Sequence, residues 1–241
     1  GVQSAMWTAE PTDQMAAGFG VSVSGAGDVN GDGFADFVAG AFLFDAEQTD
    51  EGRAYLFLGS LAGPVQATWV VDPTDQATAN FGVAVAGAGD VNGDGFSDVL
   101  VTASGFDAQQ VDEGRAYLYL GGAAGLATTS AWTADPTDSA GASFGYVAAS
   151  AGDVNGDGFG DVLISAPYWN GSEGRVYLYL GTPSGLAASA AWVQDPTDVA
   201  SSFFGWSVAG AGDVNGDGLA EMRIDVQTLN GGSFGVEDVW Y

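Results

Sequence analysis

Four copies of Asp-Val-Asn-Gly-Asp-Gly begin at Asp28, Asp90, Asp153 and Asp213, at intervals of 62, 63 and 60 residues. A chain that repeats one element at near-constant spacing is built from one structural unit used in series, and each unit must place that element alike. Each copy is followed three residues later by a further acid, Asp36, Asp98, Asp161 or Glu221. Other landmarks keep the same intervals: Trp7, Trp69, Trp132 and Trp192, and the Phe-Gly pairs at Phe19, Phe81, Phe144 and Phe204. Length varies between the acidic loop and the Glu-Gly-Arg triplets at Glu51, Glu113 and Glu173, which marks that segment as a surface loop.

Between landmarks each unit reads as four strands. The first follows Phe-Gly, as in 82–86. The second follows the acidic loop, as in 98–102, and the third follows Gly-Arg, as in 116–120. The fourth holds the tryptophan, as in 130–133. Aromatic residues and leucine dominate the third strand, and it is apolar on both faces, so each sheet must be covered on both sides. Stacking sheets radially does this. The expectation is therefore an all-β chain: a β-propeller of four repeats, each a four-stranded antiparallel blade, in one domain over 1–241. The units span approximately 15–76, 77–139, 140–199 and 200–241, and residues 1–14 serve as a closing strand that completes the last blade. Arg223, Asp225 and Glu237-Asp238 interrupt the pattern in the final unit.

The acidic loops carry the chemistry. In the first, Asp28, Asn30, Asp32 and Asp36 stand at positions 1, 3, 5 and 9, and Phe34 at position 7 offers a backbone carbonyl. The same sets recur as Asp90, Asn92, Asp94, Phe96 and Asp98, then as Asp153, Asn155, Asp157, Phe159 and Asp161. The fourth is Asp213, Asn215, Asp217, Leu219 and Glu221. An all-oxygen set with glycine at position 6 suits Ca²⁺ at six- or seven-coordination, giving up to four ions, and suits Mg²⁺ less because Mg²⁺ retains its waters. EF-hands place a bidentate Glu at position 12, and here those positions are Ala39, Val101, Ile164 and Ile224. The loop joins two strands instead of two helices. Asn-Gly and Asp-Gly also serve as plain hairpin turns, which explains the glycines but not three carboxylates within nine residues. Glu221 adds a methylene and is expected to perturb the fourth site.

The Phe-Gly pair, the acidic loop and the small-residue segment after the second strand (Ala39-Gly40-Ala41, Thr102-Ala103-Ser104, Ser165-Ala166-Pro167) resemble the FG-GAP repeats of integrin α-subunit propellers and of many bacterial surface proteins. The resemblance implies a secreted or cell-surface, calcium-stabilised module of adhesion type, sometimes lectin-like, without catalysis.

Composition narrows the partners. A formal charge of -27, from 31 acids against four basic residues, argues against nucleic acid, and no apolar run is long enough for membrane insertion. No cysteine is present, so cations would have to supply the cross-linking of a secreted domain. Catalysis lacks parts: there is no histidine base, no cysteine or lysine nucleophile and no evident partner for a serine. The expected role is a non-enzymatic module that binds a protein or glycan ligand through its blade loops. The alternative is an architectural unit, including a homo-oligomer, of a larger surface assembly, and a propeller lyase or hydrolase stands last. Tyr168, Trp169 and Trp206 occur in single units and are the candidate ligand-facing residues. The arginines are expected to pair with nearby acids, and the recurring tryptophans to fill contacts between blades.

Overall fold

The computed structural model describes residues 7–12, 14–136, 139–195, 201–226 and 235–237. Sheet one comprises β1 (Phe19–Gly27), β2 (Asp36–Ala41), β3 (Arg53–Phe57) and β4 (Trp69–Val71). Sheet two comprises β5 (Phe81–Gly89), β6 (Asp98–Ala103), β7 (Arg115–Tyr119) and β8 (Trp132–Ala134). Sheet three is β9 (Ala148–Gly152), β10 (Asp161–Ala166), β11 (Arg175–Tyr179) and β14 (Trp192–Gln194). Between its third and fourth strands lies a small hairpin, β12 (Gly181–Thr182) with β13 (Gly185–Leu186). Sheet four contributes β15 (Phe204–Gly212), β16 (Glu221–Val226) and β17 (Gly235–Glu237). Strands pair antiparallel and in chain order within every main sheet. The one helix among the described residues is a single turn, α1 (Trp169–Ser172), and no helix is long and apolar enough to cross a membrane.

The two-sided apolar strands bury both faces as their sequence requires. Side chains alternate along a strand. Val38, Ala54 and Leu56 therefore enter one core with Phe81 and Val85 of sheet two, while Ala39, Tyr55 and Phe57 form a separate cluster on the opposite face. Leu100, Ala116 and Leu118 of sheet two meet Val162, Ile164 and Tyr177 of sheet three, and Leu163, Val176 and Leu178 meet Met222 and Ile224 of sheet four. First strands pack on first strands, β1 on β5, β5 on β9 and β9 on β15.

The Phe-Gly and Glu-Gly-Arg motifs form the joint between sheets. Gly82 takes a φ of +85°, which opens an irregularity between the Phe81 and Val85 pairings. Gly52, at φ +86°, bridges to Phe81 so closely that a β-carbon there would strike the Phe81 backbone. The Phe81 N–H donates to the Glu51 carbonyl at 2.8 Å, and Phe144 and Phe204 repeat this with Glu113 and Glu173 at 2.8 and 3.0 Å.

The arginines and tryptophans behave as expected from sequence. Arg53, Arg115 and Arg175 pair with Asp72, Asp135 and Asp195, and each guanidinium also lies over an aromatic ring, Phe44, Phe106 or Trp169. Trp69 and Trp132 reach the next sheet, donating Nε1–H to the Ala127 and Ala187 carbonyls at 2.8 and 3.0 Å and packing edge-on against Tyr119 and Tyr179.

The described part of the N-terminal segment packs on sheet one, in the place that a fourth strand of a preceding sheet would take. Trp7 sits edge-on against Phe37 and Phe57 of sheet one, 5.4 Å from each ring. It stands to Phe57 as Trp69 stands to Tyr119, because sheet one offers an apolar face that no other described sheet covers. Residues 1–6 of the expected closing strand lie outside the described residues. No packing comparable to that between neighbours joins β15 to β1, so the described sheets form an open series.

Candidate cation loops and an aromatic patch

Each acidic loop is folded by its own side chains. Asp28 Oδ1 accepts from the Gly31 and Asp32 N–H groups at 2.7 and 3.1 Å, and Oδ2 accepts from Gly33 at 2.8 Å. Asn30 Oδ1 accepts from Asp32 N–H and Asp32 Oδ1 from Phe34 N–H, both at 3.0 Å, so positions 1, 3 and 5 curl round a common centre. Asp90 and Asp153 repeat these bonds.

The position-9 acids do a second job. Asp36 accepts from Val29 N–H through Oδ2 at 2.9 Å and from Gly59 N–H, just beyond β3, through Oδ1 at 2.7 Å. Asp98 and Asp161 do the same with Gly121 and Gly181, both at 2.8 Å. Each therefore ties its loop to the far end of the third strand. These carboxyls are buried, and burial raises all three above the ordinary carboxylate range. Asp98 is pushed up to about 6 by burial, against the pull of the Gly121 and Val91 N–H groups and with a further push from Asp94 and Asp90.

Glu221 alters the fourth loop in a way opposite to a simple loss. Its Oε2 accepts from Val214 N–H at 2.6 Å and its Oε1 from the Asn215 amide at 2.7 Å. The extra methylene carries the carboxylate inward. Asp213, Asp217 and Glu221 are the one set of three acids among the described residues whose oxygens all lie within 4.8 Å of one another.

All four arginines are engaged away from these loops, Arg223 with Asp225 and the other three in the pairs above. Twelve loop acids thus sit without a protein cation. A hard divalent cation suits this donor set of carboxylate, amide and carbonyl oxygens, and would compensate charges that burial otherwise opposes.

At the other end of the strands the structure brings together Tyr168 and Trp206, ring centroids 6.3 Å apart, and adds two residues that sequence reasoning missed. Tyr146 lies 5.1 Å from Trp206 and 5.6 Å from Tyr168. Phe203 lies 5.8 and 5.6 Å from the same two rings. All four are half-buried. Trp169 is not part of this patch: its ring lies beneath Arg175 at 3.4 Å, the place that Phe44 and Phe106 take under their arginines. One signal for Tyr146 was present in the sequence, since it and Trp206 share the position after Phe-Gly where the first two units have Val21 and Val83. Tyr146 also borders an open groove of about 470 Å³ lined by β1, β5 and β9.

The model of the FG-GAP repeat matches residues 19–57, 81–119 and 144–179, which are the first three strands of sheets one to three with their acidic loops. The chain is an FG-GAP repeat protein. Its fourth unit falls outside those matches, in keeping with the Arg223 and Asp225 substitutions on β16. This FG-GAP chain is 37% identical over 142 residues to integrin alpha-10 of Homo sapiens, covering 57% of the chain and 12% of that protein. It is 30% identical over 240 residues to integrin alpha-V of Gallus gallus, covering 93% of the chain and 21% of that protein. With integrin alpha-4 of Xenopus laevis it shares 30% over 191 residues, 78% of the chain and 18% of that protein. The chain thus spans about a fifth or less of the length of these relatives.

Proposed function

We propose that the chain is a calcium-stabilised, extracellular β-propeller segment of adhesion type, whose sheets are blades and whose aromatic end binds a protein ligand without catalysis. The observation that carries this reading is the division between the two ends of the strands. At one end, a buried position-9 acid and two more exposed acids of each loop sit in a fixed oxygen frame, with the arginines paired elsewhere. At the other, Tyr146, Tyr168, Phe203 and Trp206 stay half-exposed where a core would have closed over them. Similarity to integrin α chains supports the adhesion and surface setting.

Asp28, Asn30, Asp32, Asp36 and the Phe34 carbonyl would hold the first ion, and the matching residues the other three. Bound calcium supplies positive charge that lets these carboxylates remain ionised while buried. The chain's own part is to fix the oxygens: Asp28 through three N–H groups, and Asp36 through Val29 and Gly59. Full chelation with EGTA is expected to lower the calorimetric melting temperature by several degrees, and an unchanged melting temperature would sink the calcium reading. Binding to arrays of purified matrix proteins and of glycans tests the ligand: Trp206→Ala and Tyr168→Ala should each weaken capture about tenfold or more, the loss of an aromatic anchor. Wild-type capture by glycans alone would replace the protein ligand with a lectin role.

A second reading, an architectural unit packed against further sheets, is favoured by the apolar face of sheet one that only the segment around Trp7 covers. Light scattering tests it, since a lone monomer at high concentration would leave that face without a partner of its own kind.

A further inference from the structure

We propose that the four acidic loops form a joined row in which filling one loop with a cation favours filling its neighbour. The inference rests on the calcium reading above and deepens it.

Consecutive loops touch through three links, none of which the ligand pattern requires. First, the backbone carbonyl of the position-1 acid accepts from the N–H of the residue just before the next position-9 acid. Ser97 donates to Asp28 at 3.0 Å, Gly160 to Asp90 at 2.8 Å and Ala220 to Asp153 at 2.9 Å. Second, the position-2 carbonyl accepts from the segment beyond the next third strand, Gly122 to Val29 at 2.9 Å and Thr182 to Val91 at 3.0 Å. That segment is the one Asp98 and Asp161 hold through Gly121 and Gly181. Third, the position-7 side chain covers the position-4 glycine of the loop before it. A β-carbon on Gly31 would come within 2.8 Å of the Phe96 ring, one on Gly93 within 2.7 Å of Phe159, and one on Gly156 within 2.9 Å of Leu219.

The first and third links therefore join a ligand-bearing stretch of one loop to a ligand-bearing stretch of the next, and the second joins a loop to the segment that the next position-9 acid holds. Phe96 offers its carbonyl to loop two and its ring to loop one. Ser97, between Phe96 and Asp98, hangs on Asp28. A cation that fixes Asp28 and its carbonyl direction also fixes the Phe96–Asp98 stretch, so part of the ordering that loop two needs is already done. Coupling of this kind must be reciprocal. Among the described residues the row has two ends: Phe34 caps no earlier glycine and is exposed, and no described residue covers Gly216.

Calcium titration of the chelator-stripped chain by isothermal calorimetry tests this. The wild type is expected to bind with a Hill coefficient above about 1.5, against a ceiling set by the number of sites. Phe96→Ala together with Phe159→Ala keeps both backbone carbonyls as ligands and should clearly lower the coefficient, with the backbone links and Leu219 left in place and the ion count unchanged. Phe34→Ala makes the same chemical change where no link exists and should leave cooperativity intact. Phe96→Leu with Phe159→Leu should restore it, since Leu219 already covers Gly156. A wild-type coefficient of unity, or an equal fall in Phe34→Ala, overturns the coupling and leaves the calcium reading standing. No bound calcium at all overturns both.

Discussion

Sheet one turns Val21 and Val23 outward at 71% and 61% exposure, whereas the free face of sheet four carries Ser207, Ala209 and the Arg223–Asp225 ion pair. The two faces lie at opposite ends of the same series, and their chemistry differs because their sequences do. In sheets one to three the position of Arg223 is held by Val38, Leu100 and Leu163, all fully buried against the following sheet. Arg223 and Asp225 give this face of sheet four a polar character that the same positions lack in sheets one to three. Sheet one has no such residue on its outward face, where the ring of Trp7 is laid over Phe37 and Phe57. Repetition alone thus produces the joints between sheets, and the two outward faces differ because single residues depart from the repeat.

The comparison is most exposed to a charge placed on equivalent sites. Val85→Arg would bury an unpaired guanidinium between sheets one and two and is expected to cost about 3–5 kcal/mol in urea unfolding, whereas Val23→Arg should stay within about 0.5 kcal/mol. Similar losses at both sites would mean that the face of sheet one is covered in solution. Glycines sharpen the point. Gly20 and Gly82 have nearly the same positive φ, but a β-carbon on Gly82 would meet the Arg53 carbonyl while one on Gly20 meets nothing within 4 Å. Gly20→Ala should cost about 1 kcal/mol and Gly82→Ala at least about 2 kcal/mol more, read as the difference in unfolding midpoints. A small stability change, within about 1 kcal/mol, is expected for Arg223→Leu. Its readout is association: an apolar face appears on sheet four, and light scattering should rise with concentration where the parent shows no such rise.

Much of this architecture was legible because each landmark occurs several times. Phe-Gly, the acidic loop and Gly-Arg mark the first three strands of a sheet, and sheets one to three follow them. The Arg53–Asp72 type of pair was also legible, as both partners recur at fixed spacing. What stayed hidden depends on contacts between units. Position 9 reads as a metal ligand in sequence, but nothing there reveals that Asp36 also holds Gly59. The Phe96 ring over Gly31 was equally invisible, because position 7 enters a ligand pattern only through its carbonyl. The neighbours of Trp169 stayed hidden for a related reason. Its rarity as a tryptophan suggested a special role, yet it occupies the ordinary place of Phe44 and Phe106 under an arginine. Of the expected closing strand only residues 7–12 and 14 lie among the described residues, and Trp7 meets sheet one as Trp69 meets sheet two.

The residue after each Phe-Gly pair follows the glycine irregularity and lies at the end of the molecule away from the acidic loops. Val21, Val83, Tyr146 and Trp206 are therefore four settings of one dial, and the register of the strands behind them is the same in each unit, though the first strand starts only at Ala148 in the Tyr146 unit. Surface chemistry can be rewritten there one unit at a time, without renegotiating the register of any sheet.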